Sequence, residues 1–297
     1  MGTKEDFIKQ ELAKSGFDLE DNVASVFRKL KNFEVEPSYN FTDWQTGDVR
    51  ELDLRVTYEV TTAPIKIEYV LLIECKKLPG NAWAFIKSTG DSIISKNSIS
   101  VWDNIGTLGR QNHLVDIVKP ITKVNSIIAD TFSSRYKEII TDKDKSNKRE
   151  ENILTCTTKL AKAIYFEQRM QETNNSLVAS LKKDIDYVKI YYPIVVFEGE
   201  MYEATMLPNL TVRPISSVHL DSFSIQNKQE LSTTIDFVKL QHLKSFLQKG
   251  MLIEASQIRE NEKNNRNAYL KQIRKIKQKT KLNKSLEQLI GFVPRII

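Results

Sequence analysis

The chain has 297 residues, of which 40% are hydrophobic and 28% are charged, and its formal net charge is +6. This size permits one large domain or two small ones with a sizeable core, and the charged fraction is typical of a soluble surface. There is no apolar run long enough to span a membrane and no signal peptide at the first residues, while Cys75 and Cys156 are too few for a disulfide framework or a thiolate zinc site. We therefore expect a cytoplasmic protein.

The first predicted elements are a helix and two strands. Asp18 is placed to cap a helix that begins near Leu19, and Glu20 lies in its first turn, where a negative charge suits the helix dipole. A strand is predicted over residues 33–44. Strict alternation of apolar and polar side chains over residues 51–60 predicts the next strand.

The third strand is the most informative stretch of the sequence. It runs over about 66–76, and its unbroken apolar segment 70–73 indicates that both of its faces are covered. Because side chains alternate along a strand, Glu74 and Lys76 point to one face and Cys75 points to the other. Three consecutive strands joined by short turns suggest an antiparallel meander.

The elements after Lys77 are less regular. We interpret residues 78–150 as a helical insertion, with a helix expected within 117–136. The elements predicted beyond it are a helix over 151–170, a buried strand over 188–197, a hairpin that turns at 198–200, a strand over 231–240 and a helix from Gln241 onward.

Basic residues are concentrated near the end of the sequence. Nine bases and no acid occur from Lys263 to Lys284, while the remaining residues carry 35 bases against 38 acids. Such a segment binds phosphate backbones without reading sequence, although a solvated helix is the simpler interpretation. We therefore divide the chain into a domain over 1–250 and a basic helical extension over 251–297. The bases predicted to contact nucleic acid are Lys263, Arg266, Lys271, Arg274, Lys275 and Lys277.

Several common chemistries lack support in the sequence. No Gly-Lys pair occurs, which argues against a P-loop and a nucleotide-driven motor. The three histidines, His113, His219 and His242, show no metal-ligand spacing, and no Gly-x-Ser-x-Gly motif is present. Carboxylates and lysines are the remaining candidates.

One such group combines residues of the second and third strands. Asp53 lies on the polar face of one strand, and Glu74 and Lys76 lie on the next, so an antiparallel pair can bring them within reach of one cation. Two carboxylates suit Mg²⁺ or Mn²⁺, and a neighbouring lysine can orient water and offset charge on a phosphate. The alternative is an ordinary solvated strand face with cross-strand ion pairs.

Three features follow one another along the first helix and the next strands: Glu20, Asp53 within Gly47–Leu54, and Glu74-Cys75-Lys76. This combination, in this order of elements, resembles the PD-(D/E)XK nuclease superfamily. The resemblance covers residues 17–77 and, more loosely, the elements up to about 240. It implies an α/β fold with a restriction-endonuclease-like core, in which helices flank a central mixed β-sheet. Leu52 stands where the name of the superfamily has proline. Many members of the superfamily also lack a proline at this position.

The resemblance also implies roles for individual residues. Asp53, Glu74 and the backbone carbonyl of Cys75 would bind Mg²⁺, for which Mn²⁺ can substitute. Lys76 would position the attacking water, and Glu20 would support the site from the helix. A polar residue of the following helix often joins such sites, and Lys159, Lys162 and Gln168 are the three candidates here.

The expected activity is therefore Mg²⁺-dependent endonucleolytic cleavage of DNA, in restriction or anti-phage defence, with RNA as an alternative substrate. The sequence leaves open a homodimer or a partner protein and indicates no membrane association. The competing hypothesis is a non-catalytic nucleic-acid-binding or assembly subunit that uses the same fold as a scaffold.

Overall fold

The structure is a computed structural model that describes residues 3–62, 65–87, 100–103, 131–140, 152–179, 186–206, 208–226, 229–257, 259–260 and 278. Its helices are α1 (Lys4–Ser15), α2 (Phe17–Arg28), α3 (Asn152–Ala179) and α4 (Leu240–Lys249), and residues 251–257 are again helical. Its strands are β1 (Phe33–Thr42), β2 (Val49–Thr62), β3 (Ile65–Lys87), β4 (Ser100–Asp103), β5 (Phe132–Ile140), β6 (Asp186–Thr205), β7 (Thr211–Pro214), β8 (Ser217–Gln226) and β9 (Gln229–Lys239). Within these ranges no helix has both the length and the apolarity of a membrane span.

The described strands form one mixed sheet. β1, β2 and β3 make the antiparallel meander that the sequence predicts, so this prediction is confirmed. β6 lies parallel to β3, and β4 pairs antiparallel with β6. A mixed sheet with several helices agrees with the predicted α/β class.

Helices cover both faces of this sheet. α2, α4 and residues 251–257 pack on one face, together with Leu71 and Ile73 of β3. α3 packs on the other face, together with Val70 and Leu72. Because neighbouring residues of a strand point to opposite faces, the apolar run of β3 supplies both cores. This confirms that the strand is covered on both sides.

Five strands also close into a ring, which the sequence did not predict. β3 continues past Lys77 to Lys87 and pairs there with β5, and the pairing then passes through β8, β9 and β6 back to β3. Aromatic side chains fill its interior: Trp83 stacks on Phe197 with 3.8 Å between ring centroids and meets Phe237 edge-on at 5.7 Å. Residues 78–87 therefore belong to the sheet and not to a helical insertion.

The ring interior leads to a stability prediction. Trp83 is fully buried, so Trp83→Ala should lower the free energy of unfolding by about 3–5 kcal/mol through lost burial and the cavity left behind. Met206→Ala, at a half-exposed side chain, should change it by less than about 0.5 kcal/mol. Urea unfolding followed by circular dichroism measures both values. A Trp83→Ala protein as stable as the Met206→Ala protein would contradict the packed interior.

The predicted hairpin turn at 198–200 is wrong, because β6 runs straight through these residues. A Cβ on Gly199 would lie 2.3 Å from Cζ of Phe197, so this glycine makes room for an aromatic ring and does not mark a turn. The register of β3 against β6 shifts between Lys77 and Ala82, the stretch in which β3 begins to pair with β5. The hairpin turns instead between Thr205 and Thr211.

The predicted start of the first core helix is also wrong. α2 begins at Phe17, directly after Gly16, whose positive φ of 88° suits a residue without Cβ. No side chain caps this helix end. The Asp18 carboxylate, which was predicted to cap this helix, instead forms an ion pair with Lys77, with 2.5 Å between the carboxylate and Nζ.

Two further predictions fall partly or wholly outside the described residues. The helix expected within 117–136 is wrong for 132–136, which lie in β5 and pair with β3, while 117–130 are not among the described residues. The bases predicted to contact nucleic acid, from Lys263 to Lys277, also lie outside them. The described part of the predicted C-terminal helix, 240–249 and 251–257, is helical.

Candidate active site

The candidate site forms where β2 and β3 separate. Their ladder ends at the pair Leu54 and Ile73. One step farther on, the N–H of Cys75 donates a hydrogen bond to Oδ2 of Asp53 at 2.6 Å. A side-chain carboxylate thus replaces the next backbone partner and satisfies this N–H. The hydrogen bond fixes Asp53 against the residue that follows Glu74.

Glu74 is the most buried acid of the site, with 1% of its side chain exposed. Its Oε1 lies 2.5 Å from Nζ of Lys159 on α3, and its Oε2 lies 3.9 Å from Nζ of Lys76. Cys75 packs in the core on the opposite face of the sheet. The predicted division of Glu74 and Lys76 from Cys75 is therefore confirmed.

The acids of the site oppose one another's ionisation. Burial and the charge of Asp53 raise the pKa of Glu74 to about 7, although Lys159 and Lys76 act in the other direction. Burial also raises the pKa of Asp53, despite the hydrogen bond from Cys75 and the charge of Lys159. Neutral pH thus leaves Glu74 only partly ionised. An additional cation between these carboxylates would relieve their repulsion.

The oxygen atoms present fit a hard divalent cation. Mg²⁺ usually takes one or two carboxylates and completes its shell with water and substrate oxygens, so Asp53 and Glu74 form a sufficient pair. Within the described ranges, no three His, Cys, Asp or Glu side chains group closely enough to hold a metal alone. The donor set therefore suits a cation held jointly by protein, water and substrate.

Lys76 provides a positive charge beside the two acids. Burial lowers its pKa, but the neighbouring Cys156, Glu74 and Asp53 outweigh this effect, and the pKa of Lys76 lies above its usual value. A lysine that stays protonated cannot remove a proton from water. It can donate hydrogen bonds to water and offset negative charge on a phosphate.

Glu20 lies at the edge of the site, on the first turn of α2. Burial and the charges of Asp53 and Glu51 raise the pKa of Glu20, which places this carboxyl within the field of the other acids. Lys159 acts on it in the opposite direction. Glu20 thus lies within electrostatic range of Asp53, and its support of the site stays a prediction.

The structure separates the three candidates on α3. Lys159 contacts Glu74 directly, whereas Nζ of Lys162 lies 2.7 Å from Oδ2 of the buried Asp43, in the turn between β1 and β2. Gln168 lies nine residues beyond Lys159, which is about 13 Å along a helix. Lys159 is therefore the member of this helix that joins the site.

Sequence reasoning missed a second charged cluster on the same face of the sheet. Arg55, Glu68, Glu167 and Lys189 meet there between α3 and the strands. The available signal was Lys189, a charged residue within the otherwise apolar strand sequence 188–197. A lysine in a buried strand requires an acid nearby, because an unpaired buried charge is strongly unfavourable.

The sequence-predicted residues thus divide into two sets. The structure brings Asp53, Glu74, Lys76 and Glu20 together at one end of β2 and β3, with Lys159 as an addition. The tail bases are outside the described residues, and the Cys75 carbonyl stays a predicted ligand. Comparisons of the chain with protein-family models, curated proteins and solved structures gave no match.

Proposed function

We propose that the protein is a Mg²⁺-dependent endonuclease of the PD-(D/E)XK type that cleaves DNA. The observation that carries the proposal is the convergence of Asp53 and Glu74 with Lys76 and Lys159 where β2 and β3 separate. Cleavage of a phosphodiester requires a cation on the phosphate, an oriented water and compensation of developing negative charge. This arrangement offers residues for each requirement.

Each residue has a distinct role in the proposed reaction. Asp53 and Glu74, with the Cys75 carbonyl, would hold Mg²⁺ or Mn²⁺, and such an ion polarises the phosphate and activates water. Lys76 donates hydrogen bonds that orient the attacking water. Lys159 holds Glu74 in place and adds positive charge beside the phosphate. Glu20 would support the site from α2 as a further carboxylate in the field of Asp53, directly or through water.

The arrangement of elements supports the same proposal. α2, the meander β1–β3, α3 and the parallel strand β6 occur in this order, with β4 and β5 between β3 and α3. The site lies on β2 and β3. This is the order of elements in which the resemblance to the superfamily was found. DNA as the substrate rests on the predicted basic tail, and restriction or anti-phage defence rests on the resemblance.

A second candidate function is favoured by one contact. Lys159 lies 2.5 Å from Glu74 and offsets part of the charge of the most buried acid of the site. A non-catalytic assembly or nucleic-acid-binding subunit would need only this internal pairing and no metal. In that case Mn²⁺ would not bind with measurable affinity, and calorimetry on the ion-free protein distinguishes the two functions.

A cleavage assay with metal removal tests the proposal. We expect the purified protein to cut DNA with Mg²⁺ or Mn²⁺, to lose this activity in EDTA and to regain it when Mn²⁺ is added in excess. The substrates are double-stranded, single-stranded and methylated DNA, and RNA. Absence of cutting on all four with either ion would contradict the proposal, and cutting that persists in EDTA would exclude the metal.

A further inference from the structure

The second charged cluster joins α3 to β2. Nε of Arg55 lies 2.7 Å from Oε1 of Glu167, and the Tyr39 hydroxyl donates to the same oxygen at 2.5 Å. Only 5% of the Glu167 side chain and 17% of the Arg55 side chain are exposed. Glu167 is the only one of these three residues that lies on α3. The contact therefore attaches this helix to the sheet.

Two further residues complete the cluster from the strands. Nζ of Lys189 on β6 lies 3.6 Å from Glu68 and 3.9 Å from Glu167, with 7% of its side chain exposed. Nη2 of Arg55 lies 4.0 Å from Glu68. Nη1 of Arg55 also lies 3.7 Å from the exposed Glu36. The two bases thus face two largely buried acids and one exposed acid. A single charge removed from this cluster leaves another one buried and unpaired.

Beyond the hydrogen bonds of its first two residues with Glu138 of β5, α3 forms ion pairs with the sheet side at three successive positions. Lys159 contacts Glu74 of β3, Lys162 contacts Asp43 after β1, and Glu167 contacts Arg55 of β2. Glu167 lies about 12 Å along the helix from Lys159. Arg55 lies two residues from Asp53 on β2, so one strand carries both a site acid and the anchor of the helix.

The apolar contacts of α3 do not by themselves fix its position along the sheet. Ile153, Leu160 and Ile164 pack there, but apolar packing tolerates alternative arrangements of similar volume. A slip by one helical turn would move Lys159 by about 5.4 Å, which is more than its contact with Glu74 permits. Buried ion pairs contribute little net stability, and setting a register is their best-attested use.

We propose that the Arg55–Glu167 pair sets the register of α3 and thereby places Lys159 on Glu74. Arg55 and Glu167 are thus positioning residues that act on the site through Lys159. This inference rests on the proposed function for its catalytic consequence, but the placement of Lys159 is independent of activity. Cleavage assays measure the catalytic consequence, and chemical labelling measures the placement of Lys159.

The first test removes both charges at once, in the variant Arg55→Met/Glu167→Gln. Glutamine retains an oxygen for the Tyr39 hydroxyl, and no unpaired charge is created, so the melting temperature should stay within about 5 °C of wild type. DNA cleavage should fall about tenfold or more, because misplacement by 1 Å can cost about 100-fold. A merely structural pair would lose stability and rate together.

A matched control lies on the opposite face of the sheet. Glu254 is a buried helical carboxylate that accepts hydrogen bonds from Tyr69 at 3.1 Å and Tyr192 at 2.8 Å. Glu254→Gln changes the same chemical group without touching α3. We expect its cleavage rate to stay within about threefold of wild type, since distant sites act independently. Equal losses in the control and the pair variant would overturn the inference.

A double-mutant cycle shows whether the pair acts through Lys159. Lys159→Ala should reduce cleavage, and the addition of Arg55→Met/Glu167→Gln should then reduce it by less than about twofold, because both changes remove the same interaction. Losses that multiply would overturn the inference. A well-folded pair variant that cleaves like wild type would overturn it as well.

Chemical labelling separates this inference from the proposed function. In wild type the contact with Glu74 should protect the Lys159 amine from reductive methylation, and the pair variant should lose this protection severalfold, as measured by mass spectrometry of peptides. Lys66, at the far end of β3, serves as the internal reference. If wild type cuts no substrate but Lys159 is labelled faster in the pair variant than in wild type, only the nuclease proposal fails. Unchanged labelling of Lys159 in a folded pair variant overturns the register inference, whatever the activity.

Discussion

Asp53→Asn should reduce the rate of metal-dependent cleavage by about 1,000-fold or more and should leave the protein at least as stable as wild type. The asparagine oxygen can still accept the hydrogen bond from Cys75, but it supplies no charge to a cation. Cleavage rates and Mn²⁺ calorimetry measure the functional loss.

The stability part of this prediction follows from the direction of the pKa shifts. A carboxyl group whose pKa is raised on folding disfavours the folded state at pH values where it is ionised. Removing the charge of Asp53 should therefore raise the free energy of unfolding of the ion-free protein at pH 7. It should also lower the pKa of Glu74, because Asp53 contributes to raising it.

The exposed neighbour Glu51 provides the control for this variant. Glu51→Gln removes one acid from the same strand and should cleave within about threefold of wild type. Undiminished Mn²⁺ binding by Asp53→Asn would show that Asp53 is not a ligand. A large loss of stability would show that the acid is structural.

Lys76→Met should lower cleavage by about 100-fold to 1,000-fold while Mn²⁺ binding is retained or becomes tighter. Methionine is close to lysine in length and lacks the hydrogen-bond donors that are proposed to orient water. It also removes a positive charge 3.9 Å from Glu74, which reduces repulsion toward a bound cation. Single-turnover cleavage and calorimetry report the two effects separately.

Lys77→Met is the matched control for Lys76→Met. Lys77 is the next residue of β3, but its ammonium pairs with Asp18 and points away from Glu74 and Asp53. We expect near-normal cleavage from this variant, within about threefold. If both lysine variants lose activity equally, general electrostatic attraction of DNA explains the effect better than a role in orienting water.

The sequence predicted the part of the fold that depends on local patterns. Alternation over 51–60 and the apolar run 70–73 specify two strands, and their order places Asp53 beside Glu74. Local patterns could not predict the strand pairs that close the ring, which are β3 with β5 and β5 with β8. These join segments far apart in the chain, and residues such as those of β5 carry no strong strand pattern of their own.

Other errors arose where one residue type has two meanings. Gly199 looked like a turn residue and proved to be space for the ring of Phe197, while Asp18 looked like a helix cap and proved to be the partner of Lys77. Lys159 could not be distinguished from Lys162 by spacing alone. The choice depends on the rotation of α3 over the sheet, which is set by tertiary contacts.

The closed ring determines when, during synthesis, the core beside the candidate site can be completed. Glu74 pairs with Val195 of β6, and Val195 pairs in turn with Phe237 of β9. A ribosome adds β9 long after the strands that carry Asp53 and Glu74, and until then the edge of β6 beside the site is uncovered. In a nascent chain without β9, Asp53 and Glu74 are therefore present before the core beside them is complete. Under the proposed function, we expect cleavage only from chains in which β9 has joined β6 and completed the ring.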